Sequence, residues 1–490
     1  MKKNLLLASI LLSSAYPTFA EYISAGDGTE YTMQSLSEIA TSGVTKDGSD
    51  FIVADNITIS EGDKFNIGSG ITIKLGDGVQ LRIEGEAYLD AESEVLITRN
   101  ADTDEPEGIG LFSDAREETL VKNLNFEYAG LRLWTGKEVT VENCSFKYNN
   151  GAQTSAGALS MALSGGQLNV SDSEFIENTI PAIGGAANYN YGVLIDNCYF
   201  YDNNTENSNK PQLNITIGGD RNIIIKNNTL VGTERNKVGA ISVANMLGAS
   251  GTNNVVIENN DMRKHRYGIT TLGAMNVTIK DNKIIDNKYE TNAMNGGSGI
   301  SIYDSSYLQN AIITGNQIED NLWGITVIGG GCVNIGKTED INADDYNPGG
   351  NTFLNNGNNG VLYDLYNNGR NTIYAQGNKW NVEEQTEELI ETVIFHKNDN
   401  SSLGEVIFMP PMGGGSVSAI EAAKCYFNST NKQLVLGEND CDITIYSVSG
   451  MQVASYNDCN GAVDMSNLTG GVYIAVVSSA EGSTSIKCIL

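Results

Sequence analysis

The sequence has few basic residues and very few histidines. It contains two histidines in 490 residues, and its 30 Lys and Arg are outnumbered by 60 Asp and Glu, so the formal net charge is −30. A chain with this charge repels nucleic acid, anionic membranes and acidic polysaccharides, unless a local basic patch or a bound cation reverses the field. Because the acidic residues are scattered among 54 glycines and many asparagines, the composition favours a soluble, repetitive β protein.

Long hydrophobic runs are also missing. No stretch reaches the roughly 18–20 apolar residues that a membrane-spanning helix needs, so we expect no membrane insertion. The N-terminus instead has a basic pair, a short apolar run over Leu5–Leu12 and the small-residue site Thr18-Phe19-Ala20. This pattern predicts a secretory signal peptide over residues 1–20 and an exported mature protein.

The seven cysteines fall into two groups. Cys144, Cys198 and Cys332 are spread along the middle of the chain. The last 66 residues contain the other four, which are Cys425, Cys441, Cys459 and Cys488. An exported chain can form disulfides, but four cysteines allow three pairings that the sequence does not distinguish.

A repeat dominates the middle of the chain. The segments "VTVENCSF" (139–146), "VVIENNDM" (255–262) and "VTIKDNKI" (277–284) share alternating apolar residues, an Asn/Asp turn and a further large apolar residue. The sixth position of this frame is occupied by Cys144, Ser173, Cys198, Asn228, Asn260, Asn282, Asn316, Asn351 and Asn378. Units that hold short strands and Asn turns, with no helical period between them, predict an all-β, right-handed parallel β-helix with a stack of Asn side chains.

The repeat also predicts the organisation of the chain. We expect an N-terminal cap and first coils over 21–115, the β-helix with a C-terminal cap helix over 116–409, a linker over 410–419, and a small β-sandwich over 420–490. Helical spacing in 31–44 and 381–397, the latter with Leu389, Ile390, Val393 and Ile394 as its apolar stripe, predicts the two capping helices. His396 is expected near the end of the second cap. Cys144 and Cys198 lie two coils apart, about 9–10 Å, which exceeds disulfide reach and predicts buried free thiols.

One basic stretch, "DMRKHRYG" (261–268), interrupts the acidic pattern. Residues 262–269 align without a gap with "IEDNLWGI" (318–325). At the position of His265 the other coils have Asn, and at the position of Lys264 they have an acidic residue, so Lys264 should lie beside Asp286 of the next coil. These are therefore turn residues in one interpretation, with positive φ acceptable for His as for Asn. In the other, Arg263, Lys264, His265 and Arg266 form a catalytic patch for an anionic sugar, since a lyase acting on uronic acids needs a base and a group that neutralises the carboxylate.

Further candidates lie on either side of that stretch. Tyr267 and Trp323 each precede a Gly and could stack on sugar rings or pack over the neighbouring turn, and Asp304 follows a strand and could face a groove. For metals, the loop 339–350 clusters oxygen ligands suited to Ca²⁺, although it lacks the Gly and terminal Glu of an EF-hand loop. The candidate Ca²⁺ ligands are Asp340, Asn342, Asp344 and Asp345.

Two resemblances follow from these motifs. Tyr446, Gly450, Val453, the run 463–474 and Lys487 resemble the type A C-terminal sorting domain of the Bacteroidetes type IX secretion system, although its four cysteines are unusual for that domain. This resemblance implies export across the outer membrane, with the secretion machinery as a partner. Residues 50–410 resemble the β-helix repeat proteins of the same bacteria, which share a pectate-lyase-like fold and no single activity.

The motifs of known β-helix enzymes are absent from the sequence. It lacks the Asn-Thr-Asp and Gly-His-Gly segments of polygalacturonases, the Trp-Ile-Asp-His of pectate lyases, and the full motif of pectin methylesterases. Two hypotheses remain for a secreted or cell-surface monomer. It is a polysaccharide lyase or glycoside hydrolase with its groove near coils 260–330, or it is a non-catalytic adhesin or glycan-binding scaffold.

Overall fold

The computed structural model describes residues 21–490 apart from 151–155, 163–164, 186–189, 246–250, 305–308, 414–425, 429–430, 437–439, 448–449 and 480–481. The predicted signal peptide, Cys425 and residues 414–419 of the predicted linker lie outside the described residues. The chain divides into two compact units, one ending at Pro411 and the other beginning at Met412.

The larger unit winds through three parallel strand ladders. The first ladder has 14 strands, and every strand between its two ends pairs with the strand one coil earlier and the strand one coil later. Its strands are Tyr22–Ile23, Ile57–Ile59, Gln80–Ile83, Gly108–Leu111, Gly130–Leu133, Leu159–Met161, Ile183–Gly185, Leu213–Thr216, Ile241–Asn245, Ile269–Gly273, Ser298–Asp304, Trp323–Gly329, Leu365–Gly369 and Ile394–Phe395.

The second and third ladders share two long strands, Glu86–Arg99 and Glu118–Glu127, each of which contributes its first half to the second ladder and its second half to the third. The other strands of the second ladder are Glu30–Thr32, Lys64–Asn66, Glu138–Glu142, Gln167–Ser171, Gly192–Asp196, Asn222–Lys226, Asn253–Glu258, Met275–Lys280, Gln309–Thr314, Cys332–Gly336, Ile373–Ala375 and Val406–Ile407. The other parallel strands of the third are Asp50–Val53, Thr72–Leu75, Ser145–Lys147, Glu174–Ile176, Tyr199–Tyr201, Thr229–Val231, Asp261–Arg263, Lys283–Ile285, Gln317–Glu319 and Thr352–Leu354, and Val44–Asp47 pairs antiparallel with Asp50–Val53 at its N-terminal edge. These ladders confirm the predicted parallel β-helix.

Identical positions of successive coils stack on one another inside the solenoid. Phe126, Phe146, Phe175 and Phe200 are fully buried, and their rings lie parallel at 4.7–5.0 Å between neighbouring centroids. Full burial of each aromatic side chain contributes roughly 1.5–3 kcal/mol. The large apolar residue that closes each sequence repeat is therefore the core residue of the third ladder.

The predicted Asn stack is confirmed. The backbone N–H of Asn282 donates to Asn316 Oδ1 at 3.0 Å, and the backbone N–H of Asn260 donates to Asn282 Oδ1 at the same distance. Cys144 and Cys198 are buried free thiols in the same column, as predicted. The residue with left-handed φ is the one just before each stacked position, for example Asn259 before Asn260. That residue makes the turn, and the side chain of the next residue then points into the solenoid.

The two caps are shorter than the sequence suggests. The first helix is Met33–Ser37, with Thr32 as its N-cap and with Met33 and Leu36 buried against the first coil. The second is Glu387–Glu391; its Leu389 is exposed, contrary to the predicted stripe, because the helix ends before Val393 and only Ile390 faces the core. His396 follows this helix and is buried, with Nε2 2.9 Å from Glu391 Oε1 and Nδ1 accepting from Val406 N–H.

The second unit is a small two-sheet structure with a core of its own. One antiparallel sheet contains Tyr426–Asn428, Gln433–Val435 and Ala462–Asp464, and the other contains Cys441–Ser447, Gln452–Cys459, Val472–Ser479 and Gly482–Ile489. Two further elements belong to the larger unit, a hairpin of Gly357–Asn358 with Val361–Leu362 and a 3₁₀ turn at Ala293–Asn295. No helix within the described ranges is long and apolar enough to cross a membrane.

Candidate functional site

The outer face of the first ladder carries a row of small polar side chains. The strand register places Asn214, Ser242, Thr270, Ser301 and Thr326 side by side on successive coils. Their apolar neighbours in each strand point inward and are buried, so alternation along the strand directs these hydroxyl and amide groups outward. The row forms a polar floor along the solenoid axis, in which Asn214, Thr270 and Ser301 are partly exposed. Ser242 and Thr326 are largely buried, and the Thr326 hydroxyl lies 2.9 Å from Ser298 Oγ.

Two connected depressions lie on this floor. The larger has a volume of about 410 Å³ and is bordered by Arg266, Tyr267 and Tyr303, and the smaller has a volume of about 190 Å³ and is bordered by Met294, Trp323 and Tyr366. Both contain Ser298 and Ser301, and the 3₁₀ turn Ala293–Asn295 lies where they meet. We call this combined depression the groove.

The four consecutive basic residues do not form one patch. Arg263 lies on the outside of the third ladder and makes a bidentate ion pair with Asp261, at 2.6 and 2.9 Å. Lys264 adopts the left-handed turn conformation, at φ 64°, and its Nζ lies 3.6 Å from Glu234 Oε1. Its predicted partner Asp286 is instead paired with Lys288 at 2.9 Å, and only the Lys264 backbone N–H reaches the Asp286 carbonyl.

His265 points into the solenoid and is 1% exposed. Its backbone N–H donates to Asn287 Oδ1 at 3.1 Å, and its Nδ1 lies 3.2 Å from the same oxygen. Gln212 Nε2 lies 2.6 Å from His265 Nε2 and can only donate, so Nε2 accepts and Nδ1 carries the proton. Burial lowers the pKa of His265 to about 4, which leaves a neutral imidazole that links two coils of a second polar column.

Arg266 and Tyr267 are the members of the stretch that reach the groove. Arg266 donates to Asn209 Oδ1 and, at 2.5 Å, to the Asn295 carbonyl, so it holds the 3₁₀ turn in place. Its Nε lies 2.7 Å from Glu290 Oε2, which is an ion pair although the angle is poor for a hydrogen bond. The Tyr267 ring covers Gly239, where a Cβ atom would lie about 2.1 Å from a ring carbon. Burial raises the pKa of Tyr267 to about 12.

Trp323 and Asp304 differ in their relation to the groove. Trp323 is largely buried between Tyr363 and Tyr366, with centroids 4.7 and 4.8 Å away, and its Nε1 donates to the Ala293 carbonyl at 2.8 Å. It supports the groove wall and exposes little surface to a ligand. Asp304 is the last residue of its strand, is fully buried and accepts from the Gln309 backbone N–H at 2.9 Å, so it does not face the groove.

The acidic loop does not bring its oxygen atoms together around one point. Asp345 is paired with Lys337 Nζ at 2.6 Å, and Asp340 Oδ1 accepts from the Asn342 backbone N–H at 2.9 Å. Across the part of the chain that the structure describes, no three Asp, Glu, His or Cys side chains are grouped so that they could hold a metal ion. The carboxylates of Asp340, Asp344 and Asp345 are therefore not grouped around one point, and Ca²⁺ binding by this loop, with Asn342 as the fourth ligand, stays a prediction.

A wider depression of about 780 Å³ lies between the second and third ladders. The amides along it are bonded to neighbouring coils, as in Asn143 Nδ2 to Asn123 Oδ1 and Asn197 Nδ2 to Asp172 Oδ1, both at 2.6 Å. Lys147 Nζ is likewise paired with Glu174 Oε1 at 2.5 Å. Because these groups already satisfy one another, we regard the groove as the better candidate site despite its smaller volume.

Two family comparisons match the chain. The family described as right handed beta helix region matches residues 85–246 and 204–339, which together cover more than half of the chain. The chain belongs to the right-handed β-helix family. The family described as secretion system C-terminal sorting domain matches residues 425–490 of this β-helix protein, which is therefore exported by type IX secretion to the cell surface or beyond. No curated protein matched the chain.

Sequence reasoning missed several residues of this β-helix protein. The repeated segments "YGITTL" and "SGISIY" contain the outward residues Thr270 and Ser301, and period-2 alternation after each Gly would have identified them and Tyr303. Tyr303 is 43% exposed on the groove rim. Gln212 could not be found in this way, because it enters the inner column from a neighbouring loop and accepts from Asn203 Nδ2 at 2.7 Å.

Proposed function

We propose that the protein binds extracellular polysaccharide along the groove of the first ladder. The observation that supports this is the floor of five successive hydroxyl and amide side chains beside Tyr267 and Tyr303. Sugar rings present hydroxyl groups at their edges and C–H groups on their faces, which match small polar side chains and exposed aromatic rings. The neutral phenol of Tyr267 adds a hydrogen-bond donor at the rim.

The groups that border the groove favour binding over glycoside hydrolysis. Among the described residues that line it, the ionisable groups are Arg266, Tyr267, Tyr303 and Tyr366, with no carboxylate or imidazole. Hydrolysis of a glycosidic bond by the common mechanisms requires two carboxyl groups about 5–10 Å apart. Arg266 is held by Glu290 and the Asn295 carbonyl, which suits a positioning role at the rim.

Binding can be tested with a panel of neutral, uronic-acid and sulfated polysaccharides, measured by affinity electrophoresis and calorimetry. Thr270→Glu places a longer, charged side chain on the groove floor, and we expect it to abolish binding. Thr278→Glu is the matched control, because Thr278 is a partly exposed residue of the neighbouring second-ladder strand Met275–Lys280. Equal binding by wild type and Thr270→Glu would contradict the proposal.

The same samples distinguish a binding protein from an enzyme. They are incubated with the polysaccharides and assayed for new reducing ends and for unsaturated ends. We expect binding with no increase of either product. An increase that Thr270→Glu abolishes and Thr278→Glu retains would instead establish an enzyme that acts in the groove.

A further inference from the structure

A second aromatic surface lies on the same outer face, near the N-terminal end of the first ladder. Phe112 and Trp134 are stacked, with ring centroids 6.0 Å apart and planes 23° from parallel. Phe112 lies over Gly110, where a Cβ atom would come within 2.5 Å of a ring carbon. Trp134 is 50% exposed, whereas Trp323 and Trp380 are almost entirely buried. We call Phe112 and Trp134, together with the arginines beside them, the platform.

Two arginines flank the platform. Gly110 pairs in register with Arg82 on one side and Arg132 on the other, so both guanidinium groups border the Phe112 ring. Arg82 Cζ lies 3.7 Å from the Phe112 centroid, and Arg132 Cζ lies 5.5 Å from Phe112 and 5.7 Å from Trp134. These distances are within the range of cation–π attraction, which positions both cations beside the rings.

The two arginines differ in what neutralises them. Arg82 Nε is paired with Glu84 Oε1 at 2.6 Å. Arg132 makes no hydrogen bond or ion pair with any described residue. The nearby carboxyl of Glu107 accepts from Gln80 Nε2 at 2.6 Å; burial raises its pKa, and the charge of Arg132 partly opposes that rise, so the two groups attract each other without a hydrogen bond between them. In a chain with net charge −30, Arg132 thus keeps its donors available beside a half-exposed indole.

We infer that the platform is a second saccharide subsite, selective for a sugar that carries a carboxylate or sulfate group. The Trp134 face can stack on the sugar ring, and the Arg132 guanidinium can bind the anionic group through two parallel hydrogen bonds. This inference rests on the proposed function, since it adds a charged subsite to the same binding face. It also identifies the ligand class as an acidic polysaccharide.

The platform and the groove are aligned for one linear polymer. Trp134 follows the strand Gly130–Leu133, and Tyr303 lies in Ser298–Asp304, six strands further along the first ladder. Strand spacing places them about 29 Å apart along the axis. A polymer lying parallel to the axis can cover both, whereas a short oligosaccharide occupies only one.

The test compares the full chain with Trp134→Ala and Arg132→Gln against a uronic-acid polymer, a sulfated polymer, a neutral polymer and short fragments of each. The matched control is Arg99→Gln, because Arg99 Cζ lies 3.7 Å from the Tyr128 ring on the third ladder, away from this face. We expect each platform variant to bind the preferred acidic polymer about tenfold more weakly, equivalent to ~1.4 kcal/mol. Arg132→Gln should leave binding of neutral polymers unchanged, and Arg99→Gln should behave as wild type.

The outcomes separate this inference from the proposed function. If Thr270→Glu abolishes binding while both platform variants keep wild-type affinity for acidic polymers, the platform inference is overturned and the groove proposal stands. If wild type binds no polysaccharide, both fail. If the platform variants lose affinity for the uronic-acid polymer alone, the anionic group that Arg132 binds is a carboxylate; if they lose affinity for the sulfated polymer alone, it is a sulfate. Urea denaturation of each variant establishes that it is folded, and Arg132→Gln alone decides the matter if Trp134→Ala does not fold.

Discussion

The buried Asn column should make a large and measurable contribution to stability, and Asn282→Ala tests it. Asn282 lies in the middle of the column and is 1% exposed. Its Oδ1 accepts from the backbone N–H and the Nδ2 of Asn260, both at 3.0 Å, and its Nδ2 donates to Asn316 Oδ1 at 3.0 Å and to the Ile257 carbonyl at 2.8 Å. The alanine side chain can replace none of these bonds.

The expected cost follows from which partners stay satisfied. Asn260 Nδ2 still donates to two carbonyls, and Asn316 Oδ1 still accepts from the Asn282 backbone N–H. The Asn260 backbone N–H loses its acceptor, Asn282 Oδ1, and is left without a partner. The Ile257 and Lys280 carbonyls each lose one donor, but both belong to paired strands of the second ladder. A buried polar group left without a partner costs about 1–3 kcal/mol, so the single unpartnered donor predicts a loss of about 1–3 kcal/mol.

Urea denaturation measures the free energy of unfolding, and hydrogen exchange locates the change. Asn276→Ala is the matched control, because Asn276 is an exposed residue of the second ladder whose Nδ2 donates to Asn254 Oδ1 and whose Oδ1 accepts from Asn310 Nδ2, all at the solvent-exposed surface. We expect the control to lie within about 0.5 kcal/mol of wild type, as is usual for surface substitutions. In a solenoid each coil contacts its neighbours, so faster exchange should be confined to the coils around Asn260 and Asn316. Equal stability of the two variants would refute the reasoning about the column.

Two buried titratable groups predict opposite pH dependences. The pKa of His265 is about 4 in the folded chain against about 6.5 when unfolded. The unfolded chain therefore binds a proton first, and the free energy of unfolding should fall by about 3 kcal/mol as the pH drops from 7 to 4. Urea denaturation at several pH values should show that His265→Asn removes this dependence. Burial raises the pKa of Asp364 to about 7, so the folded state holds a proton that the unfolded state releases near pH 4, and stability should fall as the pH rises from 4 through 7. Asp364→Asn should abolish that decline, and an unchanged slope in either variant would contradict the corresponding prediction.

Much of the fold could be predicted from the sequence because equivalent residues of successive repeats stack on one another in the structure. The column through Asn228, Asn260 and Asn316 and the buried thiols of Cys144 and Cys198 are as the repeat indicated. Positive φ was expected at the recurring Asn and His positions, but it occurs at the residue before each of them, such as Lys264 before His265. The repeat shows where Asn recurs, but it does not show which of two adjacent polar residues points inward. The length of the second cap was also wrong, because Val393 and Ile394 fit a helical stripe equally well when the chain turns back into a strand.

The candidate site was harder to predict because neighbours in the sequence diverge at each turn of the solenoid. Arg263 ends a third-ladder strand and points outward, Lys264 makes the left-handed turn, His265 points into the core, and Arg266 reaches the rim of the first ladder. Four consecutive basic residues thus lie in four different environments. Residues such as Arg82 and Arg132, about 50 positions apart, border the same ring because they are two coils apart in register. In this fold a functional surface is a column of outward positions, so a site is found by aligning the coils and comparing one position at a time.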